Sequence, residues 1–326
     1  MAEKTYAQAI KDVLRTELTR DPKLFLMGED VAALGGPYAI TRGLVDEFGA
    51  HRIRNAPISE AAHIGVALGA ACAGIPAIVE LQYWDFGLVA ADQIVNQVAK
   101  TRFVFGGQAK IPLVIRGQQG IGRGNGATHS QCLETMFMHW PGLKIVCPSS
   151  ANEAAGLLRT AIRDENPVCV FEHKYLYYSK EEVNEDPDFM IPFGQACVKR
   201  EGTDCTIVAN SLCLRRSLEA AELLEKEGIS VEVIDPRTLV PFDYDTVVES
   251  VKKTGHLLIS HECHTNAGWG AEVATSVMER AFKYLDAPVE RVCTMDCPIP
   301  FNPFLEAAAT PQVADIVAGV KKLLCK

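Results

Sequence analysis

No two of the eleven cysteines form a CxxC pair, and an odd number spread over 326 residues does not make a disulfide scaffold. A reducing compartment follows. No Lys/Arg-rich run is present, and 32 Lys+Arg against 41 Asp+Glu leave a net charge of −9, which argues against a nucleic-acid surface. The uncharged stretch 63–79 is short for a membrane span and is broken by Gly65, Gly69, Gly74 and Pro76. The polar N-terminus lacks the charged-then-apolar layout of a secretion signal. These absences predict a cytoplasmic protein, or one of an organelle matrix after removal of a transit peptide. The glycine-rich segment 120–126 (GIGRGNG) matches neither G-x-G-x-x-G nor the P-loop pattern, which disfavours a Rossmann dehydrogenase or a P-loop ATPase. His261, Glu262, Cys263 and His264 lack the H-E-x-x-H spacing that puts two imidazoles on one helical face. A turn at a strand end is a better reading of them than a zinc site.

What is present is an ordinary globular composition, 48% hydrophobic and 22% charged, in a length that suits two domains. Apolar positions at helical spacing in 6–18 lead into the short continuous apolar run 24–28, which reads as a strand buried on both faces. The alternation repeats. Helices are predicted at 41–48, 59–73, 87–105, 132–140 and 150–163, with strands at 77–81, 112–116, 144–147 and 168–172. Periodicity then fails between 174 and 202, where the acidic EEVNEDP (181–187) predicts an exposed linker. A second series has strands at 205–209, 230–234, 256–260 and 289–294, and helices at 214–226, 244–253, 271–282 and 311–324. The expected fold is α/β, two doubly wound domains with mainly parallel sheets, at 1–190 and 191–326.

Single motifs have plain readings. Ser59 is a plausible N-cap, and Glu60 in a first helical turn suits the helix dipole. Trp84, Asp85 and Phe86 follow a strand end, where open parallel sheets place ligands, although aromatics there are commonly core. His129 lies just past the glycine loop and has a pKa suited to proton transfer.

Taken together and in order, the segments 26–30 (LMGED), 41–44 (TRGL), 57–60 (PISE), 92–93 (DQ), 107–108 (GQ), 129–131 (HSQ), 141–143 (PGL), 161–164 (AIRD) and 235–238 (DPRT) carry a resemblance over nearly the whole chain. The chain resembles the beta subunits of the thiamine-diphosphate-dependent decarboxylase component of 2-oxo acid dehydrogenase complexes, the pyruvate, branched-chain and acetoin group. The resemblance implies a transketolase-like pyrimidine-binding domain followed by a transketolase C-terminal domain for assembly and core docking. It also implies an alpha2beta2 heterotetramer, in which the alpha subunit holds the diphosphate through Mg²⁺, and a lipoyl-bearing acyltransferase core as the further partner. The Gly-Asp-Gly motif of the magnesium-diphosphate site is indeed missing from this chain.

Carried over residue by residue, Glu60 would hydrogen-bond the pyrimidine ring nitrogen and Phe86 would stack on the pyrimidine. His129 would assist substrate binding or proton delivery in lipoyl acylation, and Glu29 is the other carboxylate expected in the site. A structural K⁺ would involve Leu113, Ala161, Ile162, Asp164 and Asn166. The expected activity is oxidative decarboxylation of a 2-oxo acid, pyruvate first, with branched-chain oxo acids and acetoin as alternatives. Thr128 and Asn55 stand where many relatives carry Gln and Asp, which leaves the subfamily open. Two rivals come from other classes: a single-chain transketolase-like enzyme, and a non-catalytic subunit like that of an electron-transfer flavoprotein.

Overall fold

Parallel strands covered on both faces need apolar runs, and the chain supplies them at 25–28, 77–79 and 168–171, within strands Phe25–Gly28, Ala77–Leu81 and Val168–His173. The computed structural model describes residues 1–326, which form two units. The first comprises Met1–Gln119 and Met136–Phe193, the second Gly120–Thr135 and Gly194–Lys326. The second unit thus begins three residues beyond the expected boundary and also takes in the glycine-rich segment. That segment is held there by Glu306, which accepts from Gly122 N at 3.2 Å, and by Asn210, whose Nδ2 donates to Glu134 at 3.4 Å.

In the first unit six parallel strands lie in the order Lys144–Val146, Val168–His173, Leu113–Gln119, Ala77–Leu81, Phe25–Gly28, Ile53–Asn55. Helix Tyr6–Arg20 starts in a capping box, with Gln8 N donating to Thr5 Oγ1 and Thr5 N donating to Gln8 Oε1, and it packs against helix Ala151–Ile162.

Three adjacent strands are tied by one buried cation. Arg116 donates to Glu172 through Nε (2.6 Å) and Nη2 (2.5 Å), and through Nη1 to Glu80 on the other neighbouring strand. Tyr177 adds its hydroxyl to Glu172 at 2.7 Å. Burial pushes the Glu80 carboxyl up to about 6 even against this guanidinium.

The second unit has four parallel strands, ordered Glu290–Thr294, Leu257–His264, Cys205–Ala209, Val231–Asp235, and an antiparallel edge strand, Cys197–Arg200. Helix Val313–Leu323 lies on helix Ser211–Glu225 and buries Ile316 and Val320 in the core. It is therefore part of what folds this unit.

Several sequence expectations are corrected. The segment after residue 174 is not simply a linker: Lys174–Tyr178 is a 3₁₀ turn burying Leu176 and Tyr177, and Lys180–Val183 pairs antiparallel with Ala2–Thr5. Partners distant in sequence order a stretch that has no periodicity of its own. The helix expected at 87–105 is three pieces, a 3₁₀ turn at Trp84–Leu88, a π-helix at Gln93–Val98 and an α-helix at Ala99–Val104. The helix expected at 132–140 shrinks to Glu134–Met138, and the strand expected to stop at 260 runs through His264, so no turn begins at His261.

Arg116→Met should cost about 3–5 kcal/mol in urea unfolding, because two buried carboxylates lose their counter-charge. With the Glu80 carboxyl raised further, the loss should be larger at pH 8 than at pH 5.

Candidate active site

In the first unit the chain goes from Phe25–Gly28 outward to Ile53–Asn55, then returns to Ala77–Leu81 on the opposite side. That reversal is a topological switch point, where the carboxyl ends of parallel strands leave a crevice for a ligand. Glu29 directly follows the first of these strands, Glu60 opens the helix after the second, and Phe86 lies in the 3₁₀ turn after the third. Gly28 makes the close spacing possible: a Cβ there would sit 2.6 Å from the Glu80 carbonyl oxygen.

Glu29 and Glu60 are both buried, and the Glu29 carboxyl feels the Glu60 carboxyl and, in the opposite sense, the Ser59 backbone N–H. Burial, then the Glu60 and Asp30 charges, push Glu29 from an ordinary 4.5 up to about 7. Two buried carboxylates near one another disfavour both being ionised, so Glu29 keeps its proton to a higher pH than an isolated carboxyl would. Ser59 occupies the N-cap position but makes no side-chain cap bond; its contribution is the backbone donor to Glu29.

Sequence reasoning missed His63, one turn along the same helix face. Only 1% of it is exposed, and neither ring nitrogen has a hydrogen-bond partner in the chain. Burial holds its imidazole below the ordinary range while Glu60 pulls the other way. Its spacing of three from Glu60 was the available signal. Glu29 Oε1 is likewise buried and unpartnered. A heterocycle with a ring nitrogen and an exocyclic amino group fits this set of unmet donors and acceptors.

The two aromatics divide their work. Trp84 is core: it stacks on Phe171 (centroids 3.9 Å apart, 19° between planes) and donates Nε1–H to Val170 O at 3.0 Å. Phe86 is half-buried and meets Tyr83 edge-on, centroids 6.0 Å apart.

In the second unit, Gly120, Gly122, Gly124 and Gly126 all have positive φ, which explains glycine at every second position. Glu306 accepts from one amide of this loop, Gly122 N. His129 follows it and is half-buried, with Nδ1 2.9 Å from Thr128 Oγ1. His261 is a core residue: Nδ1–H donates to Cys263 O (3.1 Å), so Nε2 accepts from Gly270 N–H (3.1 Å). Burial drives His261 down to about 3 and Cys293 up to about 12, which suits packing and not metal binding or nucleophilic attack.

The residues named for K⁺ are otherwise engaged. Asp164 Oδ1 accepts from Asn166 N and Nδ2, both at 2.8 Å, Asp164 Oδ2 is paired with Lys144, and Asn166 Oδ1 accepts from Arg102. The Ala161 carbonyl accepts from Asp164 N, while Leu113 and Ile162 offer only main-chain oxygens. These side chains are committed to cationic partners, so a K⁺ there would have to be held by main-chain carbonyls.

Comparison with known proteins decides the family. The model of the transketolase pyrimidine-binding domain matches residues 2–180, and that of the transketolase C-terminal domain matches 194–316. The chain is 46% identical over 319 residues to the pyruvate dehydrogenase E1 component subunit beta of Rickettsia felis, covering 98% of each. It is 45% identical over 324 residues to the mitochondrial counterpart of Dictyostelium discoideum, covering 98% of this chain and 91% of that one. The chain belongs to the pyruvate dehydrogenase E1 beta-subunit family. A solved split-gene transketolase, described as an inactive beta4 tetramer, superposes with a TM-score of 0.80 at 26% identity over 98% of both chains. The two-domain transketolase-like fold is thereby established, and the flavoprotein reading falls away.

The pH behaviour of the pair can be checked by stability. Because folding raises the Glu29 pKa, the stability it contributes is complete below about 4.5 and is lost as pH rises through about 7. Glu29→Gln has no charge to bury, so its melting temperature should exceed the parent's by roughly 2–4 °C at pH 8 and show no such gain at pH 4.5.

Proposed function

We propose that this chain works with an alpha subunit to decarboxylate pyruvate on thiamine diphosphate and to pass the acyl group to lipoyl arms of an acyltransferase core. The observation that carries this reading is the pair of buried carboxyls, Glu29 and Glu60, at the sheet's switch point, with Glu29 pushed up to about 7. When bound, thiamine diphosphate supplies the carbanion that adds to the oxo carbon and stores the electron pair left by CO₂. Glu60 holds a proton at the pyrimidine ring nitrogen, and Glu29 buffers it. Phe86 offers an aromatic face to the pyrimidine. His129 delivers a proton during lipoyl acylation.

The diphosphate and its Mg²⁺ fall to the alpha subunit, since this chain lacks Gly-Asp-Gly. Apolar side chains exposed beside the site residues support a covering partner: Ile58 is 85% exposed and Val89 62%. An alpha2beta2 assembly is the proposed form, in bacterial cytoplasm or an organelle matrix. No helix is long and apolar enough to cross a membrane.

Purified alone, the chain should show no decarboxylase activity, and activity should appear on mixing with its alpha subunit. Full turnover by the single chain would refute the half-site reading. A panel of pyruvate, branched-chain oxo acids and acetoin reads the substrate, with pyruvate expected to have the highest kcat/KM.

Glu60→Gln keeps the shape and removes the carboxylate, so kcat should fall at least about 10²-fold while assembly survives. His129→Ala should slow complex turnover by about 10²-fold or more, and much less the reaction with an artificial electron acceptor that bypasses the lipoyl arm. Equal losses in both assays with a lowered melting temperature would return His129 to a structural role.

A further inference from the structure

His63 is the one buried histidine of the first unit's site helix, and the proposed mechanism leaves it unused. Imidazole carries one N–H and one acceptor nitrogen when neutral, and burying both without partners is costly. In this chain both are buried and neither is satisfied. Residues three apart on a helix have Cβ atoms about 5–6 Å apart, so Glu60 and His63 are neighbours on one helix face, and the Glu60 charge acts on the His63 ring.

The surrounding charges are few. Glu60 shares the helix, and Glu29 and Asp30 follow strand Phe25–Gly28. Glu80 and Arg116, on the two other strands packed against the helix, are paired with each other, and Arg116 also with Glu172. The packed π-helix Gln93–Val98 carries no charge, and Asp92 just before it accepts from Asn96 at 2.7 Å.

We propose that His63 is a positioning residue for Glu60: in the loaded site its neutral ring N–H donates to the Glu60 carboxylate and holds it in line with the pyrimidine nitrogen. The inference rests on the thiamine-diphosphate reading above. Neutrality is what makes the role workable. An imidazolium one turn away would lock Glu60 as a carboxylate and stop it sharing a proton, whereas a neutral donor orients it without trapping the charge. The low-dielectric surroundings keep His63 in that neutral form.

The test uses the complex assembled with the alpha subunit and two substitutions. His63→Phe keeps a planar ring and removes both nitrogens; His63→Gln restores an amide donor near the Nε2 position. Two quantities are read: the Kd for thiamine diphosphate, from quenching of intrinsic fluorescence, and the pH profile of kcat. For His63→Phe, Kd should rise about 10-fold and the acid limb of the profile should move up by about one pH unit, because the carboxylate pair loses a donor that favours its ionised form. KM for the oxo acid should hold. His63→Gln should keep the parent's acid limb and most of its cofactor affinity.

A Phe variant unchanged in both readouts would overturn the proposal. So would Phe and Gln variants that lower the melting temperature alike without moving the profile. The Gln variant is also decisive by itself if Phe prevents assembly, since an acid limb displaced by a full unit in Gln would sink the donor role. Failure of the unsubstituted complex to bind thiamine diphosphate at all would overturn the parent reading and this inference with it.

Discussion

The first unit is organised by one buried guanidinium. Arg116 stands in a fully buried strand and binds carboxylates on both neighbouring strands, two bonds to Glu172 and one to Glu80. An unpaired charge there would be intolerable, so the three strands are obliged to keep one register and one height. Glu80 in turn limits what can approach it. A Cβ on Gly36 would lie 2.1 Å from Glu80 Oε1, and one on Gly28 would press on the Glu80 carbonyl. The loop that leads away from Glu29 is thereby laid over the end of strand Ala77–Leu81. Placement of the first carboxylate of the site is a consequence of how the core ion network is packed.

Function at the switch point follows from desolvation more than from any single bond. Glu29 and Glu60 would be two unremarkable carboxylates in water; buried together they repel, and Glu29 is pushed up to about 7. The second unit uses burial for the opposite end. Its His261 and cysteines are driven toward their uncharged forms and satisfied internally, so the residues that looked most like a metal cluster are packing elements.

Local pattern carried the regular parts of the fold. Apolar runs such as 77–79 and 168–171 are legible because a strand covered on both faces is apolar on both, and the single carboxylate that follows each run does not hide it. The acidic stretch after 174 was read as exposed, since nothing local announces that Tyr177 reaches Glu172 or that 180–183 pairs with the N-terminal strand. The helix expected at 87–105 had the right composition throughout. Its division into 3₁₀, π and α pieces reflects packing of Trp84 on Phe171, a contact between residues 87 positions apart.

The sequence by itself determined the family, the α/β class and which residue types stand at the site, because ordered short motifs and hydrophobic periodicity are properties of the chain as written. Only the tertiary structure decided what those residues can do. Glu29 and Glu60 are 31 positions apart, and the upward shift of Glu29 arises only where the sheet's reversal brings two loop ends together out of water. His63 is the sharpest case: a histidine in an apolar helix reads as ordinary core, and its meaning depends on the absence of any partner around both ring nitrogens. Burial and hydrogen-bond satisfaction depend on neighbours from distant segments, and no window of sequence contains them.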